Sequence, residues 1–347
     1  MALNFPHKVF DRTDQVWQII HSLAHLNNLH VHLKHHLEDR DFARISALCC
    51  ALQELTSLQE LTLDLCKTGL RDMSELGQVM QDMKQLKGLT LDLFRLDEIS
   101  DISALWRGLQ ELTGLKRLDL LLQSTGLQDM SGLGLALQNL KDLQRLRLDF
   151  CNLDKLSDLS VLCQSLQGLA GLQDLALDLS YTGLEDVSEL GLALQHLKEL
   201  RRLSLCFFRI RDILGVSALC LGLREQTDLQ HLMLNFGGTR LQDVSELGLA
   251  LQKKEKLHAL TLEFFGLRII SGMPALCQSL RGLTGLQKLT LGSMTAGPAE
   301  LDELFLALQN LANLHHLKLD KRGYESARGV HGYATLKERP GLKDTVL

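Results

Sequence analysis

Six of the thirteen histidines fall between positions 21 and 36: His21, His25, His30, His32, His35 and His36. On a helix His21 and His25 would share a face, and on a strand His30 and His32 would, which is the kind of pairing zinc sites use. No cysteine or carboxylate at ligand spacing completes a set, so the stretch reads as solvated and mildly pH-sensitive rather than as a metal centre. Aspartates return at Asp72, Asp129, Asp186 and Asp243. A catalytic group seldom recurs every 57 residues, so these read as turn or cap residues. The chain has no phosphate-binding glycine loop, no dinucleotide fingerprint, no H-E-x-x-H and no nucleophile elbow. It reads as a non-enzyme, with no cofactor and no metal. The last three residues, Thr345-Val346-Leu347, match a C-terminal peptide that adds a strand to a PDZ-type domain, but three residues are a short match.

The remaining chemistry-bearing residues make sense only through the elements that carry them. Cys49, Cys163, Cys220 and Cys277 stand at one interval, with Trp106 filling the gap in the series. Equivalent positions two units apart in a stack are roughly 10 Å distant or more. A disulfide needs its Cα atoms within about 7 Å. The series therefore marks buried positions in a repeat rather than a disulfide framework, and it points to a reducing compartment.

The repeat itself is carried by leucine. Taking the first leucine of each L-x-L core gives Leu29, Leu61, Leu89, Leu118, Leu146, Leu175, Leu203, Leu232, Leu260, Leu289 and Leu317, about eleven units alternating between 28 and 29 residues after a longer first one. Within a unit, Leu61–Leu65 alternates with period two, the mark of a short strand with one buried face. Strands recurring at this interval with helices between them must be parallel.

One class of unit turns through T-G-L (Thr68-Gly69-Leu70, Thr125-Gly126-Leu127, Thr182-Gly183-Leu184), where glycine would take positive φ. A serine such as Ser188 is then the expected helix N-cap, followed by the apolar stripe Leu190, Leu194, Leu197. The other class keeps the cap and stripe, as at Ser103, Leu105, Leu109 and Leu112. Leu135, Leu192, Leu249 and Leu306 lie two residues off the stripe and are expected to pack against neighbouring helices.

Bulk properties agree with a folded soluble chain: 347 residues, 45% apolar, 23% charged, formal net charge −5. The acidic balance argues against nucleic acid as a partner. No stretch is long and apolar enough to span a membrane and no signal peptide stands at the N-terminus, so the expected compartment is the cytoplasm, with the nucleus possible. Residues 1–22 precede the repeats as a capping segment with Val16, Trp17, Ile19 and Ile20 as its apolar part. Residues 23–320 are the solenoid, and residues 321–347 form a polar tail.

L-x-x-L-x-L units alternating at 28 and 29 residues resemble the ribonuclease-inhibitor-like leucine-rich repeats over nearly the whole chain. The resemblance implies an α/β horseshoe, parallel strands on the concave face, helices on the convex face, and a protein bound in the hollow. The chain departs from that family after L-x-L-x-x. Asparagine is common there, whereas this chain carries Cys66, Phe94, Gln123, Cys151, Ser180, Phe208, Gly237, Phe265 and Met294. The column before it (Leu65, Leu93, Leu122, Phe150, Leu179, Phe207, Phe236, Phe264) reads as a third inward residue rather than a greasy lip.

Side chains alternating with the inward leucines should line the concave face. One margin is partly basic (Arg117, Arg145, Arg202, beside Glu60 and Asp174) and the other mostly acidic (Asp64, Asp92, Asp149, Asp178, Glu263). Arg145, Arg147 and Asp149 share one strand. These residues are the expected docking surface for a protein partner whose identity, like the oligomeric state, the sequence does not specify. The resemblance also allows regulation of a small GTPase, as the Ran GTPase activators of this repeat type perform, or substrate recognition within a larger receptor or ubiquitin-ligase assembly. The basic tail differs from the acidic one those activators carry.

Overall fold

An L-x-L run puts two leucines on one side of a strand, and a parallel neighbour in register lays each against its counterpart. The computed structural model, which describes residues 2–5, 25–33, 42–68, 70–96, 99, 102–267, 271–292, 298–319, 336 and 342–346, is built on that match. The chain is a leucine-rich-repeat solenoid whose repeats gather into two units, Met1–Leu172 and Gln173–Leu347.

In the first unit, β1 (Ala2–Phe5), β2 (Asn28–Leu33), β3 (Glu60–Asp64), β4 (Gly88–Asp92), β5 (Arg117–Leu121) and β6 (Arg145–Asp149) lie side by side in chain order, all parallel. Among the described residues five helices alternate with them: α1 (Phe42–Gln53), α2 (Ser74–Asp82), α3 (Ser103–Gln110), α4 (Ser131–Leu137) and α5 (Ser160–Gln167). Leu61 stands beside Leu89, Leu89 beside Leu118 and Leu118 beside Leu146, all buried.

The second unit repeats the plan with β7 (Asp174–Asp178), β8 (Arg202–Cys206), β9 (His231–Asn235), β10 (Ala259–Glu263), β11 (Lys288–Leu291), β12 (His316–Leu319) and β13 (Lys343–Val346). Its helices are α6 (Ser188–Leu194), α7 (Val216–Arg224), α8 (Ser245–Leu251), α9 (Met273–Arg281) and α10 (Pro298–Gln309). Each buried leucine contributes roughly 1.5–3 kcal/mol, so the lattice is the main source of stability.

Two strands lie outside the repeats. β1 pairs with β2, and β13 pairs with β12, although residues 321–347 carry no repeat pattern. Val16, Trp17, Ile19 and Ile20, and with them the expected apolar part of the N-terminal cap, lie outside the described residues. Among the described residues no helix is long and apolar enough to cross a membrane.

The third inward column is buried as its period requires. Phe207, Phe236 and Phe264 stack in series beneath the turns, with ring centroids 5.3 Å and 6.4 Å apart. Cys49, Cys163, Cys220 and Cys277 are buried free thiols, and Trp106, which fills the gap in their series, is buried as well. Burial pushes Cys49, Cys220 and Cys277 up to about 12, which makes them inert packing residues.

Leu135, Leu192, Leu249 and Leu306 are exposed, from 36% to 54%, and do not pack as expected. The cause lies one residue earlier in the first three. Gly134, Gly191 and Gly248 let the backbone of the next helix approach so closely that a Cβ there would run into Val161, Ala218 and Ala275. The neighbouring helix covers the glycine and leaves the following leucine in solvent.

The expected serine caps are also displaced by one element of the motif. Ser188 is the first helical residue, and its N–H donates to Asp186 Oδ1 at 2.8 Å. Asp72, Asp129, Asp158 and Asp243 do the same for Ser74, Ser131, Ser160 and Ser245. The aspartate stands one residue before the cap position, from where its short carboxylate reaches the unsatisfied N–H of the first helical residue.

Two core leucines of the repeat are replaced by polar residues in adjacent units. Gln226 stands where Leu112, Leu169 and Leu283 stand in equivalent units, and Lys254 where Leu140, Leu197 and Leu311 stand. Both are buried. Lys254 Nζ donates to the carbonyls of Leu223 at 2.7 Å and Gln226 at 2.8 Å, and Gln226 Nε2 donates to the Leu194 carbonyl. Burial pulls the Lys254 ammonium down to about 8, opposed by Glu225.

Two predictions follow from this packing. Gly191→Ala gains about 1 kcal/mol of helix propensity but meets the Ala218 backbone, which cannot yield like a side chain, so overpacking wins. The variant is expected to lose about 1–3 kcal/mol in urea denaturation; a gain would show the helix contact to be looser than described. For Lys254, both states are protonated below pH about 8 and the folded state bears the full burial cost. Between about 8 and about 10.4 the unfolded chain holds the extra proton, so stability rises with pH by about 3 kcal/mol in total. The difference between wild type and Lys254→Met should show that rise, and parallel stability–pH curves would refute it.

Candidate functional site

A strand that buries its even side chains must present its odd ones, so each strand offers three outward residues spaced about 7 Å apart. In the first unit the columns are Glu60, Gly88, Arg117, Arg145; then Thr62, Thr90, Asp119, Arg147; then Asp64, Asp92, Leu121, Asp149. The structure thus brings Asp64, Asp92, Arg117, Arg145, Arg147 and Asp149 to one face. In the second unit Asp178, Arg202 and Glu263 lie on the corresponding face of β7, β8 and β10.

The acidic column serves the fold. Asp64, Asp92, Asp149 and Asp178 each accept, through Oδ1, the backbone N–H two residues on, at 2.9–3.2 Å, and Asn235 accepts the Gly237 N–H in the same way. One residue further, the chain takes a left-handed conformation: Lys67, Arg95, Asn152, Tyr181 and Gly238, with φ between 56° and 70°. The carboxylate closes the turn that the asparagine of related repeats was expected to close, two positions earlier in the chain.

Positive φ was expected at the glycine of T-G-L; Gly126 takes it, Gly183 does not, and Gly69 lies outside the described residues. In each of these turns the residue before the threonine takes positive φ: Lys67, Ser124 and Tyr181. The threonines are structural in their own right. Thr68, Thr125 and Thr182 donate through Oγ1 to the carbonyls of Leu65, Leu122 and Leu179 at 2.7–2.8 Å.

Charges on the face are largely paired. Arg117 Nη2 bonds Glu60 Oε2 across β4, because Gly88 between them has no side chain to obstruct the contact. Arg145 Nε lies 3.6 Å from Asp119 Oδ1, and Arg202 lies 3.9 Å from Asp174. His32 Nδ1 sits 3.1 Å from Asp64 Oδ2, and Gln123 Nε2 donates to Asp149 Oδ2 at 2.5 Å. Asp92 is half-buried, and burial pushes its carboxyl up, with Asp64 adding to the effect and the Phe94 N–H and Arg147 opposing it. The Glu263 carboxylate folds over Gly292.

Several participants escaped the sequence reading. Asp119, His32 and Gln123 were not singled out for the face, although the outward alternation of β5 marks Asp119. A second cluster lies at the turns of the second unit. Tyr181 and Phe208 meet edge to face at 5.5 Å, and the Arg209 guanidinium lies over both rings, 5.5 Å and 5.7 Å from their centroids. The repeated residue after the strand would have revealed it. Among the described residues no group of three or more histidine, cysteine, aspartate or glutamate side chains is placed to hold a metal. His21, His35 and His36 lie outside them.

No family model matches this chain, and no curated protein matches it. Among solved structures it is similar to the TLR13–ssRNA13 complex, at 18% identity and a TM-score of 0.46, over 86% of this chain and 40% of that one. It is also similar to human 5T4 (Wnt-activated inhibitory factor 1, trophoblast glycoprotein), at 19% identity and a TM-score of 0.44, over 67% of this chain and 78% of that one. The chain therefore spans less than half the length of the first. These likenesses are too distant to carry function, and the fold rests on the strand register and burial described above.

If the acidic column closes turns, Asp149→Ala should lose about 1–2 kcal/mol, as lost caps do, while Asp149→Asn, which keeps an acceptor oxygen, should lose less than half of that. Chemical denaturation of both variants checks this. Equal losses would mean that charge, not the turn hydrogen bond, is what Asp149 supplies.

Proposed function

We propose that this protein is a non-enzymatic interaction scaffold, of the ribonuclease-inhibitor-like kind, that binds a protein partner on its outward strand face. The observation that carries this reading is the ordered charge array on that face. Parallel strands hold Arg117, Arg145, Arg147 and Asp92 in the first unit, and Arg202 and Glu263 in the second, at fixed spacing on a rigid leucine lattice. An array fixed by backbone register can impose orientation on a partner without ordering long side chains from scratch. Regulation of a small GTPase and substrate recognition inside a larger assembly are special cases of the same docking. A partner of the first kind would show accelerated GTP hydrolysis when the protein is added.

Two faces compete for this role, since exposed Leu192 and Leu221 give the helix side an apolar surface. Capture from a native lysate with three proteins separates them: wild type, a strand-face block (Thr90→Trp with Ser204→Trp), and a helix-face block (Leu192→Glu with Leu221→Glu). The expected result is a partner lost by the first block and kept by the second. The reverse pattern would move binding to the helices and overturn the reading.

A further inference from the structure

The hydrogen bonds of the first unit leave its strand face with a polarity that the residue types alone do not reveal. By composition β3 to β6 present five carboxylates and three guanidiniums on this face. The carboxylates, however, are mostly engaged within the chain. Asp64 and Asp149 each use both oxygens, one for the turn N–H and the other for His32 or Gln123. Glu60 is held by Arg117. Asp119 lies deep between β4 and β6, its Oδ1 buried and without a hydrogen-bond partner.

The guanidiniums of β6 are held more loosely. Arg145 and Arg147 are both exposed. Arg145 reaches Asp119 only at 3.6 Å, beyond a good hydrogen bond, and Arg147 forms no ion pair among the described residues. The two stand at alternate positions of one strand, so they project from the same face about 7 Å apart. That is also the spacing of alternate side chains in an extended peptide. Each guanidinium offers a planar fork suited to a carboxylate.

We propose that Arg145 and Arg147 anchor an extended acidic peptide segment of the protein partner, with carboxylates at alternate positions, on the strand face of the first unit. This rests on strand-face docking and adds the chemistry of the partner. A peptide suits the face better than nucleic acid does. Asp92, Asp119 and Asp149 beside the arginines would repel an unbroken row of phosphates, whereas uncharged residues between the peptide's carboxylates can pass over them.

Fluorescence anisotropy on the full chain tests the assignment with three labelled probes: a peptide alternating Glu and Ser, one alternating Lys and Ser, and a single-stranded RNA. The Glu-Ser peptide should bind best. Arg145→Gln and Arg147→Gln should each weaken it by about tenfold, the scale of one charge-assisted hydrogen bond. Arg224→Gln, on α7, should leave it unchanged. Absent binding of the Glu-Ser peptide, binding indifferent to both arginines, or tighter RNA binding through them would overturn the proposal. A lysate partner lost by Thr90→Trp yet kept by the double arginine variant would overturn the anchor alone and leave strand-face docking intact. A partner indifferent to all of these variants would overturn both.

Discussion

Everything in this molecule depends on the chain returning to the same strand plane after 28 or 29 residues. Within each of the two units parallel pairing joins neighbouring repeats without a register shift in the central strands, so whatever occupies a position in one repeat rests on its counterpart in the next. Leucine satisfies that demand because its side chain fills the same volume whether it meets another leucine, a cysteine or a phenylalanine. The Phe207, Phe236 and Phe264 stack shows what happens when three successive units agree on a larger residue. The rings align, and the inward column remains closed.

The return is made possible by two short devices that recur at the ends of many of the strands and the starts of many of the helices. An aspartate or asparagine at the strand end accepts a backbone N–H two residues ahead, and a left-handed residue then turns the chain. An aspartate before the helix accepts the N–H of the following serine. In both places a carboxylate that looks like a surface charge is engaged with the backbone. Hydrogen bonding of the Ser188 hydroxyl and N–H holds the Asp186 carboxyl below the usual carboxylate range, as the corresponding serines do for Asp129, Asp158 and Asp243. Function on the strand face therefore has to be read from the charges that remain after the turns are satisfied, and that remainder is rich in arginine.

The same register also tolerates polar departures where backbone acceptors lie within reach. Gln226 and Lys254 replace leucines in adjacent units; Lys254 donates to the Leu223 and Gln226 carbonyls, and Gln226 donates to the Leu194 carbonyl of the unit before. The Lys254 acceptors are backbone carbonyls, which offset part of a desolvation cost that an unbonded lysine in that core would bear in full. Stacking lays each of these units against the carbonyls of the one before it, so each donor finds backbone acceptors in place.

Periodicity along the chain was enough to establish the strands, the helices, the parallel sheet and the buried series of leucines, cysteines and phenylalanines, because burial on a repeating element is a property of spacing alone. It also placed Asp64, Asp92, Arg145 and Arg147 on one outward face. It did not place the exposed Leu192, which depends on how closely Gly191 admits the next helix, nor the strand β13, which arises in a stretch without the pattern. Nor did it reveal that Asp149 is occupied while Arg147 is available. Spacing determines which side of a strand a residue occupies; only the folded backbone, bringing N–H groups and neighbouring strands within reach, decides which charges are already satisfied.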